Sequence, residues 1–304
     1  MDDRKSQIIG YAFAVLQAVL YSTMGIFGKL LYATGMDSRQ VVILRFLCST
    51  VLLGAFMLVW RKQALVSRQK AVYAQAVFYF ASAFLYFFAV ERMNAGITTV
   101  AFYLFPAMVA GINLAVFHEK LSASVAIALV LSIMGLVFIS GITSGQMTLD
   151  PLGLAFALGS ALAFAIYTVL IQITGRTEGS FTVTLTLSWS SLLAACIVFA
   201  PAVPAMFHLD AYQLFLGCTM ALANTILPVV LYIQAVKRVG GTKTSLISIS
   251  ETPFSLFFAF LILGETIAPI EAVGILLIIG GIVAITAGPL LQKRNGSKDS
   301  GQIE

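Results

Sequence analysis

The sequence predicts an all-α membrane protein of ten transmembrane helices, on three observations. The first is composition: 60% of the 304 residues are hydrophobic, only 10% are charged, and the mean hydropathy is +0.97. A soluble domain carries about a quarter charged residues. The second is continuity. Crossing a bilayer takes roughly 20 apolar residues in a helix, and runs of that length recur along nearly the whole chain. Outer-membrane barrels instead alternate polar and apolar residues over about ten positions. The third is the placement of Lys and Arg in the breaks between runs, which follows a sidedness rule.

Taken in order, the apolar runs predict helices near 8–31, 39–60, 71–90, 95–117 and 122–142, then near 151–173, 181–203, 211–236, 243–263 and 269–291. The connections are short and leave no room for a soluble catalytic domain. Residues 1–7 form an N-terminal segment, and the polar stretch 292–304 is expected to be a disordered tail. Arg4 and Lys5 precede the first run, but no small-residue cleavage site follows a short apolar core, so this run reads as a membrane helix and not as a removable signal peptide. Cys48, Cys196 and Cys218 all fall inside spans, without metal-ligand or disulfide-framework spacing, and read as small buried hydrophobes.

With the N-terminus placed in the cytoplasm, fourteen Lys and Arg fall in inside loops and tails, and only Arg39 and Arg92 outside; Lys29 and Arg45 lie within helices. Positive charge collects on the cytoplasmic side of membrane proteins. The count therefore predicts a multi-pass protein of the inner cell membrane with both termini cytoplasmic, and it agrees with an even number of crossings. It also accounts for the net charge of +5: basic residues that set topology meet anionic lipid headgroups, and no nucleic-acid partner is needed.

The two halves repeat. At a constant offset of 146, Tyr86 meets Tyr232, Ala89 meets Ala235, Arg92 meets Arg238, Glu119 meets Glu265 and Gly135 meets Gly281. The opening helices match as well, GYAFAVLQA from Gly10 against GLAFALGSA from Gly153. The unit is thus five helices, over 8–142 and 151–291. Five is odd, so the second copy enters the membrane from the opposite side. Inverted repeats related by a pseudo-two-fold axis in the membrane plane characterise secondary transporters, whose solute sites lie at the repeat interface near the midplane.

Over residues 8–291 the chain resembles the EamA branch of the drug/metabolite transporter superfamily. The resemblance rests on the ends of the fourth and ninth helices, His118-Glu119 and Gly264-Glu265, each followed about 16 residues on by glycine (Gly135 and Gly281), and on Arg45 in the second helix. The family's Glu-Pro step in the ninth helix is displaced here: Glu251 holds the Glu position, Thr252 the Pro position, and Pro253 follows. The resemblance implies ten helices in two EamA repeats and transport of small metabolites, often export of amino acids or related compounds.

Charged side chains inside a membrane span are costly and usually face the bundle interior or a water-filled path. Glu251, about eight residues into its span, is expected either to couple transport to protons or contact a cationic solute, or to brace the broken backbone near Pro253. Arg45 either holds a solute carboxylate through paired hydrogen bonds or serves structure, snorkelling or pairing with Glu91. Glu119 and Glu265 recur at matching positions beside loops, which suggests a shared structural duty such as capping the next helix. Gln17 and Tyr21 share one face of the first helix with Met24 and Gly28. Tyr86, Tyr103, Asn113, Tyr167, Gln172, Trp189, Asn224 and Tyr232 are the remaining polar or amphipathic candidates for lining a cavity; aromatic walls would suit an amphipathic metabolite and offer cation–π contacts. Pro106 and Pro253 occupy nearly corresponding places in the two repeats. Freed backbone groups are tolerated in a membrane only where protein or a cavity satisfies them, so these two helices are expected to line the central site.

No Walker, zinc-protease, nucleophile-elbow or CxxC pattern is present. No cofactor or metal is implied. The expected partners are a small-molecule substrate and membrane lipid, with the chain a monomer or homodimer. A carrier working by alternating access is the preferred reading, export the preferred direction. A channel-like uniporter or an uptake carrier is the alternative. An intramembrane enzyme is remote, because no span contains Asp and His118 and His208 lie at helix ends.

Overall fold

The computed structural model describes residues 3–61, 64–93, 95–119, 121–140, 150–174, 178–264 and 266–299, and all regular structure among them is helical. Nine segments in this set are long and apolar enough to cross a membrane, and Ala123–Ile139 is a shorter apolar helix between the fourth and fifth of them. The predicted set of ten spans is recovered, while several spans are not single straight helices.

The first span is α1 (Asp3–Ser22) and α2 (Met24–Ala33), interrupted at Thr23; α3 (Ser38–Phe56) continues as a π-helical turn at Met57–Arg61; α4 (Lys70–Arg92) is uninterrupted. The fourth span splits into α5 (Ala95–Phe102) and α6 (Phe105–Phe117), and α7 (Ala123–Ile139) closes the first repeat. The second repeat opens with α8 (Pro151–Thr174) and α9 (Ser180–Val198). Its third span is α10 (Ala211–Ala221), a π turn at Leu222–Ile226 and α11 (Leu227–Val239). Its fourth is α12 (Gly241–Ser248) and α13 (Glu251–Leu263), and its fifth is α14 (Pro269–Asp299).

Five expected spans change, three of them because of proline. The seventh span ends at Val198 and not at 203, because Pro201 and Pro204 turn Ala200–Phe207 into a 3-10 segment. The fourth and ninth spans break ahead of Pro106 and Pro253, since a proline supplies no N–H and clashes with the preceding turn, yet is tolerated in the first turn of a new helix. The helix at Asp3 begins inside the segment expected to precede it, and the helical backbone of α14 continues through 292–299, where the composition suggested disorder.

The offset seen in the letters reappears in the backbone. Adding 146 to the bounds of α5 and α6 gives those of α12 and α13, and the residues that end the second pieces, His118 and Gly264, also stand 146 apart, both left-handed at φ 54° and φ 68°. Packing follows the same exchange. Gly10 of α1 abuts Arg238 and Val239 at the end of α11, and Gly153 of α8 abuts Arg92 and Met93 at the end of α4. The first helix of each repeat thus lies against the third helix of the other. Between α7 and α14, a Cβ on Gly135 would lie 2.6 Å from the Gly274 carbonyl oxygen, and one on Gly281 would lie 3.1 Å from that of Ala128. These two contacts interchange when 146 is added to one partner and subtracted from the other, which is what a pseudo-two-fold axis requires. Small residues at such crossings let membrane helices approach closely.

Candidate functional site

A chain of ring contacts runs through the bundle interior. The Arg45 guanidinium lies 4.7 Å from the Phe46 ring centroid, and Phe46 meets Tyr79 edge-on at 6.3 Å. Tyr79 packs on Tyr167 at 5.2 Å, and Tyr167 stacks on Tyr232 at 6.1 Å with an interplanar angle of 11°. Phe164 touches both Tyr167 and Tyr232, and also Phe105 at 4.8 Å; Phe105 packs on Tyr103. Five spans from both repeats contribute: α3, α4, α8, α11 and the break between α5 and α6. The Tyr232 hydroxyl shares a 2.7 Å hydrogen bond with Thr168, and Tyr21 lies beside Tyr79.

The two broken helices meet at the far end of this chain. Tyr103, in the first break, lies beside Glu251, the first residue after the second break, and beside Thr252. The N-terminus of α13 carries partial positive charge from unpaired N–H groups, which favours a carboxylate there. Tyr86 lies close by, bonded to Thr99 at 3.0 Å. Pro106 and Pro253 are both buried within the first turns of α6 and α13.

Arg45 is 6% exposed, and its Nε has no hydrogen-bond partner. Its Nη1 donates to the Met24 sulfur at 3.4 Å, a weak acceptor. Among the described residues it has no ion pair; Glu91, weighed as its partner from the sequence, lines a cavity with Arg39 instead. A buried guanidinium without a carboxylate leaves strong donors unused.

The other expected residues are dispersed, and several serve the helix breaks. Gln17 donates to Ser248, the last residue of α12, at 2.7 Å. Asn224, in the π turn, donates to the Leu20 carbonyl at 2.6 Å and to Thr23 Oγ1 at 2.9 Å, satisfying backbone freed where α1 stops; its Oδ1 is buried and unpartnered. Trp189 packs edge-on against Tyr73, with a buried, unpartnered Nε1, in a cluster with Leu53 and Met57 that is separate from the one holding Tyr79, Tyr167 and Tyr232. Glu119 is exposed, and the cap of α7 that it was expected to supply comes from Ser122, whose Oγ accepts from the Val125 N–H at 3.3 Å. Glu265 lies outside the described residues.

Asn113 and Gln172 prove to be partners. The Gln172 amide donates to Asn113 Oδ1 at 2.8 Å, while its oxygen accepts from Asn113 Nδ2 at 3.3 Å and from the Gly241 N–H; Asn113 Nδ2 also reaches Thr242 Oγ1 at 3.0 Å. The network ties α6, α8 and α12 together beside a cavity of ≈ 380 Å³ lined by Glu119, Gln172, Lys237 and Gly240. A second cavity of ≈ 210 Å³, lined by Arg39, Phe87, Glu91 and Phe199, opens at the other end of the bundle. The ends are opposite because α4 and α8 run antiparallel: Gln75 bonds Thr174 at one end, and Gly153 abuts Met93 at the other.

Tyr79, Phe164 and Thr168 were not singled out from the sequence. A signal existed for Tyr79: Gln75, Tyr79, Ser82 and Tyr86 recur at spacings of four, three and four, a polar stripe on one face of α4. Phe164 and Thr168 precede Gln172 by eight and four residues on α8, but nothing distinguishes Phe164 among 23 phenylalanines.

Comparison with known proteins agrees with this arrangement. The sequence pattern described as the EamA-like transporter family matches residues 8–141 and again 151–287. Curated relatives include the threonine/homoserine exporter RhtA of Escherichia coli (strain K12), 27% identical over 85% of this chain and 83% of the relative. The transporter YcbK of Bacillus subtilis (strain 168) is 24% identical over 95% and 96%. Among solved structures, one crystal structure superposes with a TM-score of 0.77 at 17% identity, covering 96% of this chain and 98% of the other, a likeness of fold. With the duplicated family pattern laid over two interlocked five-helix repeats, this chain belongs to the EamA-like transporter family, as a multi-pass membrane transporter of a small metabolite.

Proposed function

We propose that the protein is a secondary carrier that exports a small amphipathic metabolite, an amino acid or related compound, by alternating access. The observation that supports it most directly is the meeting of two equivalent broken helices, α5–α6 and α12–α13, at Tyr103 and Glu251. Breaks at matching places in both repeats give each half a joint about which it can bend, and broken helices at a repeat interface commonly frame a transporter's solute site. Arg45 is the proposed contact for a solute carboxylate, with Gln17, Tyr21, Tyr86, Tyr103, Tyr167, Asn224 and Tyr232 as candidate walls. Glu251 is the proposed coupling carboxylate, and Pro106, Pro253 and Glu265 serve structure. Export of an amino acid is favoured because relatives are named threonine/homoserine exporters. The excess of Lys and Arg on one side supports an inner-membrane location with both termini cytoplasmic. One chain holds both repeats, so a monomer suffices; a homodimer would join two complete units.

Purified protein in liposomes should catalyse saturable uptake of labelled solute, and preloading with unlabelled solute should drive counterflow. Flux that neither saturates nor shows counterflow would identify a channel and remove the carrier proposal.

A further inference from the structure

The ≈ 380 Å³ cavity beside the Asn113–Gln172 network has the size of a small-molecule site. It carries opposite charges on different walls: Glu119 follows α6 of the first repeat, and Lys237 ends α11 of the second. Among the described residues the two are not ion-paired with each other; the Lys237 ammonium donates to the Glu178 carbonyl at 2.7 Å. The lining also includes the exposed Phe117 ring and the Gln172 amide, with the buried Ile171 and Val236 behind them. We propose that this cavity is a loading site for a zwitterionic α-amino acid, whose carboxylate faces Lys237, whose ammonium faces Glu119 and whose side chain rests on Phe117. This rests on the carrier reading and adds to it a site where the amino acid enters.

Two further features support it. Gln172 both lines the cavity and belongs to the network with Asn113; Thr168, one helical turn away at about 6 Å of rise, hydrogen-bonds Tyr232 of the aromatic chain. The cavity is thus one turn from the interior. In addition, the ≈ 210 Å³ cavity at the opposite end repeats the chemistry with one cation and one carboxylate, Arg39 and Glu91, beside Phe87 and Phe88. Glu91 occupies the repeat position of Lys237, so the signs are exchanged while the charge pair is kept. Both mouths drawing on both repeats is what a pathway entered from either side requires.

The test is binding to the purified full chain, read as a ligand-induced shift in thermal stability, alongside counterflow in liposomes. The probes are neutral L-α-amino acids, their methyl esters (no carboxylate) and their N-acetyl forms (no ammonium). Wild-type protein should bind the free amino acid at least tenfold more tightly than either derivative. Lys237→Gln should weaken binding about tenfold and lose discrimination against the ester alone; Glu119→Gln should do the same for the N-acetyl form alone; Lys237→Arg should keep both. No binding of any free amino acid, or unchanged affinity and discrimination in both Gln variants, overturns the loading site. If the variants behave as expected without counterflow, the site stands and the carrier reading falls. Saturable counterflow with unaltered variants has the opposite meaning.

Discussion

The helix pairs α5–α6 and α12–α13 are the same object built twice, with different chemistry at the break. Their lengths, their break and their left-handed ends correspond residue for residue at the offset of 146. Yet Tyr103 corresponds to Ile249, Phe105 to Glu251, Asn113 to Ala259 and His118 to Gly264. The phenol and the carboxylate that meet across the axis therefore come from opposite members of the pair, and the first member reaches Gln172 through the Asn113 side chain while the second does so through the Gly241 backbone N–H. Duplication set the shape; later substitutions distributed donors and acceptors between copies. That difference teaches where to look for function, because shape shared by both copies is scaffold and polarity found in one is the candidate for chemistry.

The sharpest way to break the comparison is Glu251→Gln. The amide keeps a hydrogen-bond acceptor for Tyr103 but cannot take up and release a proton. Flux in liposomes should fall by about tenfold or more, equivalent to about 1.4 kcal/mol, and its dependence on pH should flatten. Unchanged pH dependence would remove Glu251 from coupling.

Next in size is the shared crossing. Gly135→Ala would place a Cβ 2.6 Å from the Gly274 oxygen, a backbone atom that cannot swing aside. Overpacking of this kind costs about 1–3 kcal/mol, seen as a lower melting temperature in detergent. At Gly281 the nearest atom is a serine hydroxyl at 2.9 Å, which can rotate, so Gly281→Ala should cost less. Equal losses at both would contradict the distinction.

Asn113→Leu tests the amide network. It removes the partner of Gln172 and its bond to Thr242, and leaving those groups unsatisfied should cost about 1–3 kcal/mol, reduced where water enters. Modification of a cysteine placed at Gln172 should show no extra gain over the Asn113→Leu background if both act in one unit. Polar substitution at Ala259 should not reproduce the effect.

The smallest expected effect is at the helix ends. His118 holds φ 54° without glycine's freedom; His118→Gly should raise stability by about 0.5–1 kcal/mol, and Gly264→Ala should lower it by a similar amount, since a side chain in this region costs about 1–2 kcal/mol. A Cβ at Gly264 meets nothing within 4 Å, so any loss there is backbone strain alone.

Much of the fold was legible in the letters, because in lipid a helix must satisfy its own backbone and announces itself by about 20 apolar residues. The breaks were partly legible: Pro106 and Pro253 marked two of them, while the interruption at Thr23 and the π turn holding Asn224 carry no proline within them, and the Asn224 hydrogen bonds to Leu20 and Thr23 join residues about 200 apart in sequence. The candidate site was legible as an inventory and not as a place. Asn113 and Gln172 were both among the polar candidates, but their pairing depends on α6 lying against α8; Trp189, also among the candidates for the cavity wall, packs elsewhere.

The sequence by itself determined the solvent, the number of crossings, the five-helix repeat and the exchange symmetry it entails, since these follow from hydrophobic length, charge placement and an odd count. Only the tertiary structure decided which side chains meet: Tyr103 with Glu251, Gln172 with Asn113, and Arg45 with no carboxylate at all among the described residues. Apolar length is summed along the chain and can be read locally, whereas a hydrogen bond between spans depends on the rotation and depth of two helices, which packing alone sets.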